Sequence, residues 1–438
     1  MHIMPLSEHP KLLTTIMNRL LITLIIFMIL SGPACTQAQQ SSDNDPKPRV
    51  LTGLDVIERD GFSILEGKRV GVVTNATGVN SALRSIVDIF NEADNFELVA
   101  LYGPEHGVRG DYPAGEYVEF YTDARTGLPV FSLYGTTRKP TPDMLEGVDV
   151  LVFDIQDIGT RSYTYISTMG LVMEAAAENG VEVVVLDRPN PLGGNKIEGN
   201  LAEEGYISFV SQFKIPYVHG LTVGELAMML RDEGMLANGI TGDLTIVPME
   251  NWTRDMTFEE TGLIWVPTSP HIPHRDSPIY YVVSGVLGEL QVISEGVGYT
   301  MPFQVFGAEW IDSDEVASRL NALELPGVIF RPVTWRPFYG RDQGKNLHGV
   351  QVHISDYDEL NLMSLQFWFM QINNELYPDK NPLKMATEAR LRMFDRVAGS
   401  GEVRRLFMER MRYEDVEAYL NKDIDSFREL SRQYYLYN

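Results

Sequence analysis

Three short runs hold most of the groups that could do chemistry. Gly103-Pro104-Glu105-His106-Gly107-Val108-Arg109-Gly110-Asp111 brings carboxyls, an imidazole and a guanidinium together. Asp154-Ile155-Gln156-Asp157-Ile158-Gly159-Thr160-Arg161-Ser162-Tyr163-Thr164-Tyr165 adds two carboxyls, an arginine and two phenols. Asp187-Arg188-Pro189-Asn190-Pro191-Leu192-Gly193-Gly194 adds another carboxyl and another arginine. Such a set suits hydrolysis of a glycosidic bond, which needs a proton donor at the leaving oxygen and a second group to stabilise or capture the cationic sugar centre. Glu105 is the donor candidate, because Pro104 and Gly107 fix an irregular turn around it and a neighbouring His106 gives a turn little structural benefit. Asp154, Asp157 and a tyrosine, Tyr163 or Tyr165, stand open for the second role, since tyrosine nucleophiles have precedent among glycosidases. Arg109, Arg161 and Arg188 suit an anionic substrate, because a guanidinium holds a carboxylate in a bidentate fork. His106, Gln156, Asp187 and Asn190 complete the polar contacts expected around that substrate. Each has a plainer reading: an aspartate after a strand commonly caps a helix or forms a turn, and Asp187-Arg188 is a possible ion pair.

The elements that must position these runs follow from hydrophobic periodicity. β-Rich apolar segments at 70–74, 96–102, 148–154, 181–187 and 244–247 alternate with helical patterns at 81–93 and 167–179, the latter stopped by Gly180. A further helix follows Thr222-Val223-Gly224-Glu225, which reads as a capping box. Near-continuous aliphatic strands separated by helices predict an α/β fold, a Rossmann-like, mostly parallel sheet covered on both faces. Ligands bind such sheets at the carboxyl ends of the strands, so the three runs, each following a strand, are expected at one rim. From about residue 265 the pattern changes to Pro-rich turns, a helix near 314–323, strands at 328–335 and 350–354, and further helices. This predicts a catalytic domain over 49–264 and a second, smaller α+β substrate-binding domain over 265–438.

Lys11 and Arg19 precede an apolar run at 20–30 that is too short for a permanent membrane helix and fits a signal-peptide core. Ser31-Gly32-Pro33-Ala34-Cys35 follows, with the only cysteine of the chain, and then a polar tether at 36–48. Small residues before a cysteine resemble the lipobox of bacterial lipoproteins, which implies a leader over 1–35, acylation at Cys35 and a periplasmic or cell-surface location. Simple secretion with cleavage after Ala34 or Ala38 is the alternative. With 36 Lys+Arg against 60 Asp+Glu, the formal charge of −24 argues against a nucleic-acid partner. The first strand runs into Thr74-Asn75-Ala76-Thr77-Gly78-Val79, with no G-x-G-x-x-G, and the chain holds no phosphate loop and no nucleophile elbow, so no cofactor is expected. His271-Ile272-Pro273-His274 lacks the helical presentation of an H-x-x-H pair, so no metal is expected.

Taken together, the three runs resemble a bacterial family of exo-β-N-acetylmuramidases, which remove terminal N-acetylmuramic acid from peptidoglycan fragments. The resemblance spans about 49–438. It implies a Rossmann-like domain before a smaller α/β domain with the active site in the cleft between them. It further implies Glu105 as the catalytic acid, a tyrosine of the Tyr163/Tyr165 pair as an assisting group, and a peptidoglycan-derived disaccharide or oligosaccharide as partner. The lactyl carboxylate of that sugar agrees with the arginines above. In the second domain Trp265-Val266-Pro267-Thr268-Ser269-Pro270 fits the pattern, but His271 stands where asparagine is expected. Val297 and Met301 occupy positions where basic residues are common, and Lys345-Asn346-Leu347-His348-Gly349 lacks an expected cysteine. His271 and Glu295 are the substrate contacts expected from this domain. The departures leave two other readings: a glycosidase of the same fold for another sugar, and a non-catalytic lipoprotein that captures a glycan.

Overall fold

Aliphatic runs bounded by turn residues form a seven-stranded sheet in the computed structural model, which describes residues 49–110 and 120–438. Its strands are β1 (Arg69–Thr74), β2 (Glu97–Gly103), β3 (Tyr121–Thr122), β4 (Pro129–Ser132), β5 (Val150–Asp154), β6 (Glu182–Leu186) and β7 (Leu244–Val247). They lie in the order β3-β4-β2-β1-β5-β6-β7. Every neighbouring pair is parallel except β3 with β4. The chain builds outward from β1 through β2 and β4, then returns to the other side for β5, β6 and β7. That reversal leaves a crevice at the carboxyl ends of the central strands. β5 is buried along its whole length, as a strand covered on both faces must be.

Helices cover both faces and give the sheet two apolar layers. Helix Val223–Asp232 starts at the expected capping box, with the Thr222 hydroxyl accepting from Glu225 N and the Glu225 carboxylate accepting from Thr222 N. Helix Ile86–Asn91 is shorter than the expected 81–93. Asn80 Oδ1 accepts from the N–H groups of Ala82 and Arg84, which folds residues 80–84 into a turn, and Ser85 then caps the helix. Helix Tyr165–Asn179 begins two residues before the predicted start and ends at Gly180, whose φ of 65° only glycine adopts freely.

The second half holds a three-stranded antiparallel sheet of β8 (Val305–Ala308), β9 (Val328–Trp335) and β10 (Leu347–Ile354), in the order β8-β10-β9. Helices Ser277–Gly288 and Ser364–Leu376 pack with it around a separate apolar core. Helix Ser277–Gly288 gave no periodic signal, because 278–287 is apolar on nearly every side. The last residues return to the large sheet: Arg254 N donates to Asn438 O (2.9 Å), and the Arg254 guanidinium lies 3.3 Å from the Tyr435 ring. Among the described residues, no helix is long and apolar enough to cross a membrane. Cys35, the leader and tether, and Asp111 lie outside the described residues.

Candidate active site

Strand register brings the first two groups together. Gly103 at the end of β2 pairs with Ser132 at the end of β4, and Leu133 N donates to Gly103 O (2.8 Å). Glu105 and Tyr134 therefore stand at matching positions, each two residues past its strand, and the Tyr134 hydroxyl donates to the Glu105 carboxylate. Burial, and then the charge of Glu105, push the Tyr134 phenol up to about 12. The turn that carries Glu105 is closed by Gly107 N donating to Pro104 O (3.0 Å). His106 and Gly107 both adopt left-handed backbone, with φ of 75° and 74°. That conformation is unfavourable for histidine and persists only where surrounding contacts hold it. His106 is buried by this turn while Glu105 stays half-exposed.

The two tyrosines of the second run face this turn. Their rings meet edge to face at 4.9 Å, and Tyr163 also meets Tyr281 at 5.9 Å. Tyr163 Oη and Thr268 Oγ1 share a hydrogen bond of 2.8 Å, while Tyr165 Oη donates to Thr268 O at 2.5 Å. The Asn75 side chain, just past β1, bonds the Tyr165 hydroxyl as well. Burial raises both phenols well above their ordinary value; at Tyr165 the neighbouring Tyr163 and Glu105 add to the effect. A buried phenol whose proton is already given to a carbonyl is a positioned hydrogen-bonding group rather than a ready phenolate.

The other polar residues of the second and third runs turn inward. Asp154 is fully buried and meets Arg188 in a two-pronged pair, Nε–Oδ1 at 2.5 Å and Nη2–Oδ2 at 2.8 Å. Both its oxygens are held, so Asp154 drops out as the second catalytic group. Arg161 has no exposed surface and donates to Ser211 Oγ and to the carbonyls of Asn200, Ile215 and Val397. It braces the large sheet's loops against the C-terminal helices. Arg109 forks onto Asp123 at 2.8 and 2.9 Å and reaches Asp88 at 3.2 Å. All three arginines expected to hold an anionic substrate are thus spent within the protein.

Asp187 accepts from Thr222 Oγ1, Gly224 N, Arg188 N and Tyr437 Oη, and burial pushes its carboxyl up to about 7. Gln156 gives its amide protons to the carbonyls of Asp157 and Pro189, and Asn190 bonds Leu221 O and Leu192 N. These three residues build the floor of the rim instead of facing a ligand. Asp157 differs from them. Its Oδ2 accepts from Gly159 N at 2.7 Å, its Oδ1 is buried without a partner, and burial raises it to about 7. It lies near enough to Tyr163 for its charge to act on that phenol.

From the second half, His271 stacks on Tyr339 (6.0 Å, 12° between planes) and lies within electrostatic reach of His106. Burial, and then His106, lower its pKa. The asparagine expected at this position is thus replaced by a ring that joins the Glu105 side. Glu295 instead packs against Gly288 and reaches Arg341 at 3.4 Å; burial pushes it up to about 7 although Arg341 opposes the shift. Met301 packs on the apolar cluster of Val305, Trp335 and Leu347. Sequence reasoning missed Tyr134, Asn75 and Thr268. The signal for Tyr134 was β4, a short strand that periodicity did not reveal.

Two family models match the chain: "Exo-beta-N-acetylmuramidase NamZ, N-terminal" over residues 70–276 and "Exo-beta-N-acetylmuramidase NamZ, C-terminal" over 279–437. The chain is 43% identical over 420 residues to the peptidoglycan β-N-acetylmuramidase NamZ of Bacillus subtilis, covering 94% of this chain and 99% of that protein. A solved structure of a DUF1343 family protein from Bacteroides fragilis is 57% identical with a TM-score of 0.86, covering 90% of this chain and 100% of its own. A second such protein from the same organism is 28% identical with a TM-score of 0.73, covering 89% and 99%.

Proposed function

The chain belongs to the exo-β-N-acetylmuramidase NamZ family, and from that premise we propose that it is a glycoside hydrolase releasing terminal β-linked N-acetylmuramic acid from peptidoglycan fragments. The observation that carries this reading is the half-exposed Glu105, oriented by the Tyr134 hydroxyl and faced by Tyr165 at the carboxyl rim of the sheet. Glu105 protonates the leaving oxygen as the bond to the anomeric carbon breaks. Water supplies a hydroxyl to that carbon and a proton that replaces the one delivered. Tyr163 and Tyr165, fixed by Thr268, act as neutral hydrogen-bonding groups beside the sugar, and the charge of Asp157 acts on Tyr163 to keep its phenol protonated.

The leader-like residues 1–35 support an exported protein with a lipid anchor at Cys35. Incorporation of a labelled fatty acid that disappears in Cys35→Ser checks it; unchanged labelling would exclude that residue. Turnover by residues 36–438 is tested on a β-linked N-acetylmuramic acid disaccharide beside its N-acetylglucosamine counterpart and the Glu105→Gln variant. Release of muramic acid by the unaltered protein alone is the expected result. A second reading keeps the reaction and changes the sugar. It draws on the internal pairing of Arg109, Arg161 and Arg188, which leaves the three runs without a free cation for the lactyl carboxylate.

A further inference from the structure

We propose that Arg138 is the residue that receives the carboxylate of the substrate, and so selects the muramic sugar over its uncharged counterpart. The proposal rests on the function proposed above. Its starting point is the charge accounting of the rim, where each arginine of the three runs already has internal partners. Arg138, outside those runs, has no carboxylate partner among the described residues and is exposed. The adjacent Lys139 turns away and pairs with Glu174 and Glu178 at 3.4 and 2.6 Å.

Two sets of contacts locate Arg138 at the site. On one side, it follows Tyr134 by four residues, and its charge acts on the same hydroxyl that bonds Glu105. On the other, its guanidinium lies 4.2 Å from the centre of the Phe209 ring. Phe209 is itself tied to the second run, because its carbonyl accepts from Ser167 Oγ at 2.7 Å, two residues along the helix from Tyr165. The cation is therefore bracketed between the Glu105–Tyr134 pair and the helix that carries Tyr165. Stacking on an aromatic face holds the planar guanidinium in one orientation and leaves its edge N–H groups free to fork onto a carboxylate. A chain with a formal charge of −24 repels anions overall, so recognition of an anionic sugar requires a local positive centre of this kind.

The test compares Arg138→Ala and Arg138→Lys with the unaltered protein on two substrates, the N-acetylmuramic acid disaccharide and the same disaccharide with its lactyl carboxylate converted to the carboxamide. Arg138→Ala is expected to lower kcat/KM for the acid by roughly ten-fold, mainly through KM, and to leave the amide unaffected. Arg138→Lys recovers part of the loss, and added salt narrows the difference between the unaltered protein and Arg138→Ala on the acid. Thermal melting that matches the unaltered protein excludes a folding defect. Equal losses on acid and amide, or no loss on either, would overturn the assignment. Absence of turnover of both substrates by the unaltered protein would overturn the proposed function, and this assignment with it.

Discussion

The run after β2 and the run after β5 are built from similar residues, each with carboxyls, an arginine and polar neighbours, yet the protein uses them differently. After β2, Glu105 stays half-exposed and accepts a hydrogen bond from the hydroxyl of Tyr134. After β5, Asp154 is fully buried against Arg188, and Arg161 is fully buried among carbonyl acceptors. The difference follows from position in the sheet. β5 lies between β1 and β6, and the segments around Asn200, Ser211 and Val397 close over its carboxyl end. Polar groups enclosed there must find internal partners. β2 has β4 and the short β3 on its outer side, and among the described residues past its carboxyl end Glu105 keeps exposed surface. Density of polar residues at a strand end thus locates a rim, and the cover over each strand decides which residues are left for chemistry.

Substitutions on the two sides should separate activity from stability, and the largest effect belongs to the open side. Glu105→Gln is expected to lower kcat by about 1,000-fold with an unchanged urea unfolding midpoint. An active variant would break the comparison outright. On the closed side, Arg188→Met leaves Asp154 as a buried carboxylate without its cation, and should cost about 3–5 kcal/mol in equilibrium unfolding. A loss below 1 kcal/mol, as typical of exposed pairs, would show that this run is not the closed scaffold described. Tyr134→Phe should reduce kcat about ten-fold while stability changes little, because a single hydrogen bond to a half-exposed carboxylate is removed. A kcat that matches the unaltered protein's would exclude a role for this bond in orienting Glu105.

The smallest effect concerns Asp187 on the closed side. Burial holds its carboxyl at about 7 in the folded protein, against 3.8 in the unfolded chain. The folded state therefore keeps a proton that the unfolded chain has released. The associated stability is complete below about pH 4 and is lost as pH rises toward 7. Asp187→Asn should flatten this dependence, removing roughly 1 kcal/mol of the stability change between about pH 6 and pH 8. Melting temperatures measured across that range check it, and an unaltered slope would show that Asp187 ionises freely in the folded state.

Several features were readable without coordinates because they depend on local pattern. β7 at 244–247 and β9 at 328–335 fall where periodicity put them, and the Thr222/Glu225 capping box starts its helix as expected. Features that depend on what packs over an element were not. Helix 86–91 lost its first turn to Asn80, helix 277–288 hid in uniform apolarity, and β4 was too short to register. The loss of β4 concealed Tyr134, since only the pairing of Gly103 with Ser132 places that tyrosine beside Glu105.

The sequence by itself determined the alternation of strand and helix, the three polar runs at strand ends and the likeness to a muramidase family, because each is written in residues close together in the chain. Tertiary structure decided which polar groups remain available. Asp154 at the end of β5 and Asp157 just beyond it are three residues apart, yet one is neutralised by Arg188 and the other keeps a buried oxygen without a partner. That choice depends on the guanidinium brought from Arg188, whose arrival is set by packing across the fold, and on the desolvation each carboxyl meets there.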